Sequence, residues 1–280
     1  MILLSGITVR DELKQRIKSE VASLLVPPKL VILQIGSNEE SNIYINQKKK
    51  FGESVGIMVV HKVCEDDVNE DEFISIIEGF NKDSAVTGII VQLPIPKNLN
   101  KSKILNSIRI EKDVDGLGVG QMGLFYSGDK TAIVPATARG VMSLLDYYKI
   151  GLKSKNVVVI GRSNLVGRPI EQMCQNMDAT VTICHSKTLY IREYTKKADV
   201  VIVACGKPRL INSSYLGSNQ GVVDVGIHRI DGKLCGDVDF DDVKDLVSAI
   251  SPVPGGVGPL TVLSLFQNLL DAQKNQSVLK

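Results

Sequence analysis

Apolar positions along this chain alternate between two periods. Leu13, Ile17, Val21 and Leu24 keep helical spacing, and Pro27-Pro28 stops that helix. Leu30-Val-Ile-Leu-Gln-Ile35 is a continuous apolar run closed by Gly36, the pattern of a parallel strand buried on both faces. A helix over 41–57, a strand over 57–63, a helix over 71–80 and a buried strand over 88–93 are predicted next. A second unit begins after Ala132-Ile-Val-Pro-Ala-Thr-Ala-Arg-Gly140, which opens a helix over 141–148. Strands are expected at 156–161, 179–184, 199–204 and 221–226, and Val262, Leu265, Phe266, Leu269 and Leu270 mark a last helix. Such alternation argues for open α/β layers.

At about 100° per residue, Tyr44, Lys48, Phe51 and Val55 fall on one stripe of the 41–57 helix, while Lys49 and Lys50 point away. Two readings of Lys48 stand. Its stem can cover apolar surface while the ammonium reaches water. Alternatively, lost hydration lowers its affinity for a proton, so that the amine takes or relays one. Gln92 closes a predicted strand immediately before Leu93-Pro94-Ile95-Pro96. It either caps a loop or faces the crevice of Lys48, since ligands of open α/β sheets sit outside the carboxyl ends of strands. Lys112-Asp-Val-Asp-Gly-Leu117 lacks the spaced ligands and closing Glu of a calcium loop. Asp115 is there either a turn carboxylate or the acceptor of paired hydrogen bonds from an amino-heterocycle.

The strand at 156–161 runs into Gly161-Arg-Ser-Asn-Leu-Val-Gly167-Arg-Pro169 and a helix. Strand, tight turn and helix N-terminus form the dinucleotide-binding arrangement, with Ser163 where the middle glycine would stand. The following strand ends in Cys184-His-Ser-Lys-Thr188, without the acid that would hold an NAD ribose hydroxyl. Arg162 and Lys187 either suit a 2′-phosphate, favouring NADP, or are simply exposed. Asp224, inside an apolar run, needs hydrogen-bonding partners and reads as structural. Ser251-Pro-Val-Pro-Gly-Gly-Val-Gly-Pro259 combines stiff prolines with glycines that let a ligand approach the backbone.

Composition narrows the function classes. A net charge of +2 without an aromatic-interleaved basic stripe argues against nucleic acid. Five scattered cysteines without a Cys-x-x-Cys pair fit reduced thiols, and three isolated histidines suggest no metal centre. The N-terminus lacks a signal-peptide pattern and no apolar run reaches membrane-spanning length, so a cytoplasmic protein is expected.

Six stretches, in order, resemble the bifunctional methylenetetrahydrofolate dehydrogenase/methenyltetrahydrofolate cyclohydrolase (FolD) family. They are Tyr44-x-x-x-Lys48, Val91-Gln-Leu-Pro-Ile-Pro96, Lys112-Asp-Val-Asp-Gly116, Gly161-Arg-Ser-x-x-Val-Gly167, Cys184-His-Ser-Lys-Thr188 and Pro252-Val-Pro-Gly-Gly-Val-Gly-Pro259. The resemblance implies a two-lobed α/β protein: an N-terminal folate-binding catalytic domain over 1–137 with 252–280, its last helix returning, and a Rossmann-like NADP-binding domain over 138–251. It further implies oxidation of 5,10-methylenetetrahydrofolate, hydrolysis to 10-formyltetrahydrofolate, and a homodimer. Lys48, Gln92 and Tyr44 would be catalytic. Tyr44, Asp115, Pro254, Gly255 and Gly256 would meet substrate, and Thr137, Gly161, Arg162, Ser163, Val166, Gly167, His185 and Ser186 the cofactor. One departure is Pro135-Ala-Thr-Ala138, where the family commonly reads Pro-Cys-Thr-Pro; losing the second proline is expected to loosen that connection. A dehydrogenase with weak hydrolysis, a binder without turnover and a dehydrogenase of small hydroxy acids are the competing readings. The last explains neither Asp115 nor the Pro-Gly-Gly loop.

Overall fold

After a two-residue strand β1 (Ile2–Leu3) and helix α1 (Gly6–Ala22), the chain folds as strand-helix-strand-helix-strand. These elements are β2 (Lys29–Ile35), α2 (Glu39–Val55), β3 (Met58–Cys64), α3 (Glu70–Lys82) and β4 (Gly88–Val91). They build a parallel sheet in the order β3-β2-β4. The computed structural model describes residues 1–278. Leu30, Val31, Ile32 and Leu33 on the central strand are wholly buried, because both of its faces are covered. Against one face α3 packs Phe73 and Ile77 beside Val31, Leu33 and Ile89.

Helix α2 has defined ends. The Asn38 side chain accepts a hydrogen bond from the Ser41 amide, and Gly56 terminates the helix at φ 81°. Midway, Phe51 stacks at 4.9 Å between ring centroids on Phe266 of the C-terminal helix. Burying such a ring stabilises by roughly 2–3 kcal/mol. Gly52 sits where a Cβ would lie 2.5 Å from Val59 Cγ2, so the helix approaches β3 closely at that level. Helices α4 (Lys101–Asn106) and α5 (Val119–Tyr126) and the start of α6 (Ala136–Tyr147) follow.

The remaining elements are β5 (Asn156–Ile160), α7 (Gly167–Asn176), β6 (Thr180–Cys184), α8 (Ile191–Thr195), β7 (Val200–Val203), β8 (Gly221–Asp224), the hairpin β9 (His228–Ile230) and β10 (Lys233–Cys235), α9 (Phe240–Val243), β11 (Ala249–Ile250) and α10 (Gly258–Val278). Their sheet has the order β1-β11-β8-β7-β5-β6 and is parallel throughout. From β5 the chain moves outward to β6 and then back to β7 on the other side. The carboxyl ends of β5 and β7 therefore flank a topological switch point.

The chain divides into two compact units, one of Met1–Glu12 with Thr137–Thr261 and the other of Leu13–Ala136 with the chain from Val262. This differs from the expected division into 1–137 with 252–280 and 138–251. Residues 1–12 and 252–261 fall with the six-stranded sheet, because Ile2 and Leu3 pair with Ala249 and Ile250. A strand of two residues has no side-chain period to read, so backbone pairing alone assigns it.

Candidate active site

Lys48 lies in the middle of α2, half-buried, while Lys49 and Lys50 are exposed. Its Nζ donates a 3.0 Å hydrogen bond to Gln92 Oε1. Gln92 follows the last residue of β4, and its Nε2 donates to the Leu93 carbonyl at 2.8 Å. That bond fixes which way the amide faces and keeps Oε1 toward the lysine. Tyr44, one helical turn before Lys48, remains 41% exposed.

Burial holds the Lys48 amine below the ordinary lysine range, and the Asp115 carboxylate only partly restores it. Reciprocally, burial raises Asp115 and Lys48 draws it back down. The two groups thus sense each other in a medium that penalises both charges. A lowered lysine carries more neutral amine at any given pH, which is the condition for proton handling.

The two acids of the Asp-Val-Asp-Gly turn divide its tasks. Asp113 is the turn carboxylate: it accepts from the Gly116 amide at 3.0 Å and the Gly118 amide at 2.7 Å, and burial lifts it to about 6. Asp115 is coupled instead to Lys48. Lys112 is structural, since its Nζ donates to the carbonyls of Phe80, Asn81 and Asp83 at the end of α3. The sequence left open whether Asp115 is the turn carboxylate; the turn is capped by Asp113.

In the other unit, Gly161 ends β5 at φ 129°, and a Cβ there would stand 2.1 Å from the Ala204 carbonyl oxygen. A Cβ on Gly167 would meet the Gly161 carbonyl oxygen at 2.2 Å. Both positions admit only glycine, and together they fold the loop tightly onto the start of α7. The Ser163 carbonyl accepts from the amides of Val166 and Arg168 at 3.4 and 3.1 Å, while the side chains of Arg162 and Ser163 are exposed. At the end of β6 the His185 amide donates to Thr188 Oγ1 at 2.9 Å, and His185 Nδ1 accepts from the Lys187 amide at 3.1 Å. Because Nδ1 accepts, the neutral ring carries its proton on Nε2. Ser186 and Lys187 are exposed at the tip of this turn.

Thr137 lies in the first turn of α6, its hydroxyl 3.4 Å from that of Thr261. Ala138 beside it is completely buried. Gly255, at φ 100°, accepts a 2.8 Å hydrogen bond from the Gly6 amide. A Cβ on Gly6 would lie 1.8 Å from the Gly256 carbonyl oxygen, so the N-terminal segment locks the Pro-Gly-Gly loop. Tyr44, Lys48, Gln92 and Asp115 therefore belong to one compact unit, whereas Thr137, the 161–167 turn, His185, Ser186, Pro254, Gly255 and Gly256 belong to the other.

Sequence reasoning missed three supporting residues. Gly6 carries no local signal, since its partner loop is remote in sequence. Asn268 is wholly buried on α10, and a polar residue within so apolar a helix is a signal that could have been read. Asp237 is also wholly buried, and its carboxylate accepts from the amides of Cys205 and Gly206 at 2.7 and 2.9 Å and pairs with His228 at 2.7 Å. It holds the loop after β7. Asp224, expected to be structural, accepts from the amides of Gly226, Asp237 and Val238.

A six-stranded parallel sheet with a glycine turn at its switch point defines an α/β nucleotide-binding protein, here combined with a second α/β unit bearing a desolvated lysine. Residues 4–115 match the family described as tetrahydrofolate dehydrogenase/cyclohydrolase, catalytic domain, and residues 135–277 match its NAD(P)-binding domain. The chain belongs to the tetrahydrofolate dehydrogenase/cyclohydrolase family. It is 41% identical over 276 residues to the bifunctional protein FolD of Agathobacter rectalis, covering 97% of this chain and 99% of that one. Its structure is similar to that of the bifunctional FolD enzyme of Campylobacter jejuni, with TM-score 0.96, 39% identity and 99% of each chain covered. The Trypanosoma brucei FolD, solved with NADP cofactor and an inhibitor, gives TM-score 0.94 at 31% identity over 99% of this chain and 98% of that one.

Proposed function

We propose that this chain oxidises 5,10-methylenetetrahydrofolate with NADP⁺ to the methenyl cation and hydrolyses that cation to 10-formyltetrahydrofolate, in one-carbon metabolism. The observation that carries the hydrolytic half is the desolvated Lys48 amine, held by Gln92 at 3.0 Å and coupled to Asp115. Water adds to the methenyl carbon, the carbon–nitrogen bond to the ring nitrogen breaks, and one proton is released overall. Lys48 accepts a proton from the attacking water and returns one to the departing nitrogen. Gln92 holds the amine in place, Tyr44 packs on the folate ring system, and Asp115 accepts from the amino edge of the pterin.

The cofactor residues suit NADP. Gly161 and Gly167 keep side chains out of the turn where phosphate approaches, and Arg162, Ser163, His185 and Ser186 supply cationic and hydroxyl groups with no acid among them. Bound NADP⁺ supplies the hydride acceptor. Thr137 would meet the cofactor, and Pro254, Gly255 and Gly256 the substrate. The test is steady-state reduction of NADP⁺ and NAD⁺ by methylenetetrahydrofolate, with the parent protein and Arg162→Ala. The parent prefers NADP⁺, and the variant loses about 10- to 100-fold in kcat/KM for NADP⁺ alone, the worth of one charge-assisted contact to phosphate. Equal efficiency of the parent with both cofactors would falsify the role given to Arg162.

The protein acts in the cytoplasm as a homodimer in this reading. Among the described residues no helix is long and apolar enough to cross a membrane. The edge strand β3, which among the described residues pairs only with β2 and leaves Met58 and Val63 at least half exposed, supports self-association. Sedimentation should give a dimer that Val63→Lys weakens toward monomer; a monomeric parent at micromolar concentration rules the dimer out.

A further inference from the structure

We propose that Asn268 is a positioning residue: from α10 it fixes the backbone on which Asp115 stands, and so the placement of that carboxylate against Lys48. The proposal rests on the folate reading above. Asn268 is wholly buried, and its Nδ2 donates to the Val114 carbonyl at 3.0 Å and to the Val134 carbonyl at 2.8 Å. One amide thus ties the peptide immediately before Asp115 to the segment 133–135. The residue immediately after Asp115 is tied to the same segment by contact. Gly116, at φ 69°, leaves no room for a Cβ, which would lie 2.6 Å from the Ile133 carbonyl oxygen and 3.1 Å from the Val134 carbonyl carbon. Asp115 is therefore flanked on one side by a carbonyl held by Asn268 and on the other by a glycine packed close against the same strip of chain.

Packing alone does not account for this asparagine. Leu263, Leu265, Leu269 and Leu270 around it on α10 are all buried, and leucine forms helices better than asparagine. What asparagine adds is two donors for the buried Val114 carbonyl and the partly buried Val134 carbonyl, which lie outside the helices and strands. Without them the Val114 and Val134 peptides must turn to find other partners. Rotation of the Val114 peptide moves Asp115 next to it. Asp115 is the charged group that acts on Lys48, and Lys48 and Asp113 are those coupled to Asp115.

The experiment compares Asn268→Leu with the parent, with Ile77→Ala as a control that loosens the buried core under α3, and with Lys48→Met. Michaelis constants for methylenetetrahydrofolate and NADP⁺ are measured, together with the pH profile of hydrolysis below the melting temperature of every variant. Receding from Lys48, the Asp115 charge raises the lysine less, so the limb set by Lys48 moves to lower pH. A retreat of one or two ångströms corresponds to about half a pH unit, and the KM for folate rises about tenfold from misplacement, while the KM for NADP⁺ holds. Ile77→Ala loses thermal stability with neither change. Asn268→Ser, which satisfies one carbonyl, shifts both readings the same way by less, and it decides the question if the leucine variant is not recovered folded. An unmoved profile with unchanged folate KM in the folded variant overturns the proposal, as does an equal shift in Ile77→Ala. If Lys48→Met still hydrolyses the methenyl compound, the folate reading fails and takes the proposal with it. If Lys48→Met is dead and Asn268→Leu behaves as the parent, the positioning role alone is wrong.

Discussion

Lys48→Met loses methenyltetrahydrofolate hydrolysis by about 10²- to 10⁴-fold, the usual contribution of a positioned acid–base group, while NADP⁺-driven oxidation continues. Methionine keeps the length and apolar character of the stem, so α2 retains its packing through Phe51 and Gly52. What disappears is the amine that donates to Gln92 Oε1. The methenyl intermediate, followed by its absorbance during turnover, then accumulates instead of passing to the formyl product. A hydrolysis rate equal to that of the parent would remove Lys48 from the mechanism. The same measurement separates the bifunctional reading from a dehydrogenase with weak hydrolysis, since accumulation in the parent itself would favour the latter.

Replacing Asp115 with alanine raises the KM for folate substrates about 10- to 100-fold, as expected for hydrogen bonds to a charged group left unmade. A second consequence follows from its coupling to Lys48. Asp115 raises the lysine, opposing the larger effect of burial. Without that charge Lys48 releases its proton at lower pH. The neutral-amine limb of the hydrolysis profile moves downward in the variant, and so does the upper limb if the protonated form is the active one. A profile that stays in place or moves upward contradicts the coupling. Because the Asp113 bonds to the Gly116 and Gly118 amides do not involve the Asp115 side chain, the KM for NADP⁺ stays unchanged; an equal rise in both Michaelis constants would mean that the turn itself had collapsed.

The candidate site residues stand out in the sequence because each lies within a local pattern. Lys48 interrupts an aromatic and aliphatic stripe, Gln92 ends an apolar run, and Gly161 and Gly167 stand at the junction of a strand and a helix. Such features depend on neighbours a few residues away, and helical or strand period exposes them. Lys112-Asp-Val-Asp-Gly116 shows where that reading stops. The motif announces a turn with a carboxylate, yet whether Asp113 or Asp115 caps it depends on which oxygen meets the amides of Gly116 and Gly118. Burial then gives the other acid to Lys48.

By itself the sequence determined the α/β class, the longer strands and helices, the glycine turn after β5 and the lysine-bearing helix, since apolar period and glycine placement act over a few residues. Only the tertiary structure decided that Ile2 and Leu3 complete the six-stranded sheet, that Gly6 locks Gly255 and Gly256, and that Asn268 ties Val114 to Val134. In each case the partners are far apart in the chain: the first two meet through backbone groups, which carry no side-chain signal, and the Asn268 amide finds two carbonyls that no local pattern places beside it. Pairing among groups that the side-chain pattern does not distinguish is settled by what packing brings within 3 Å.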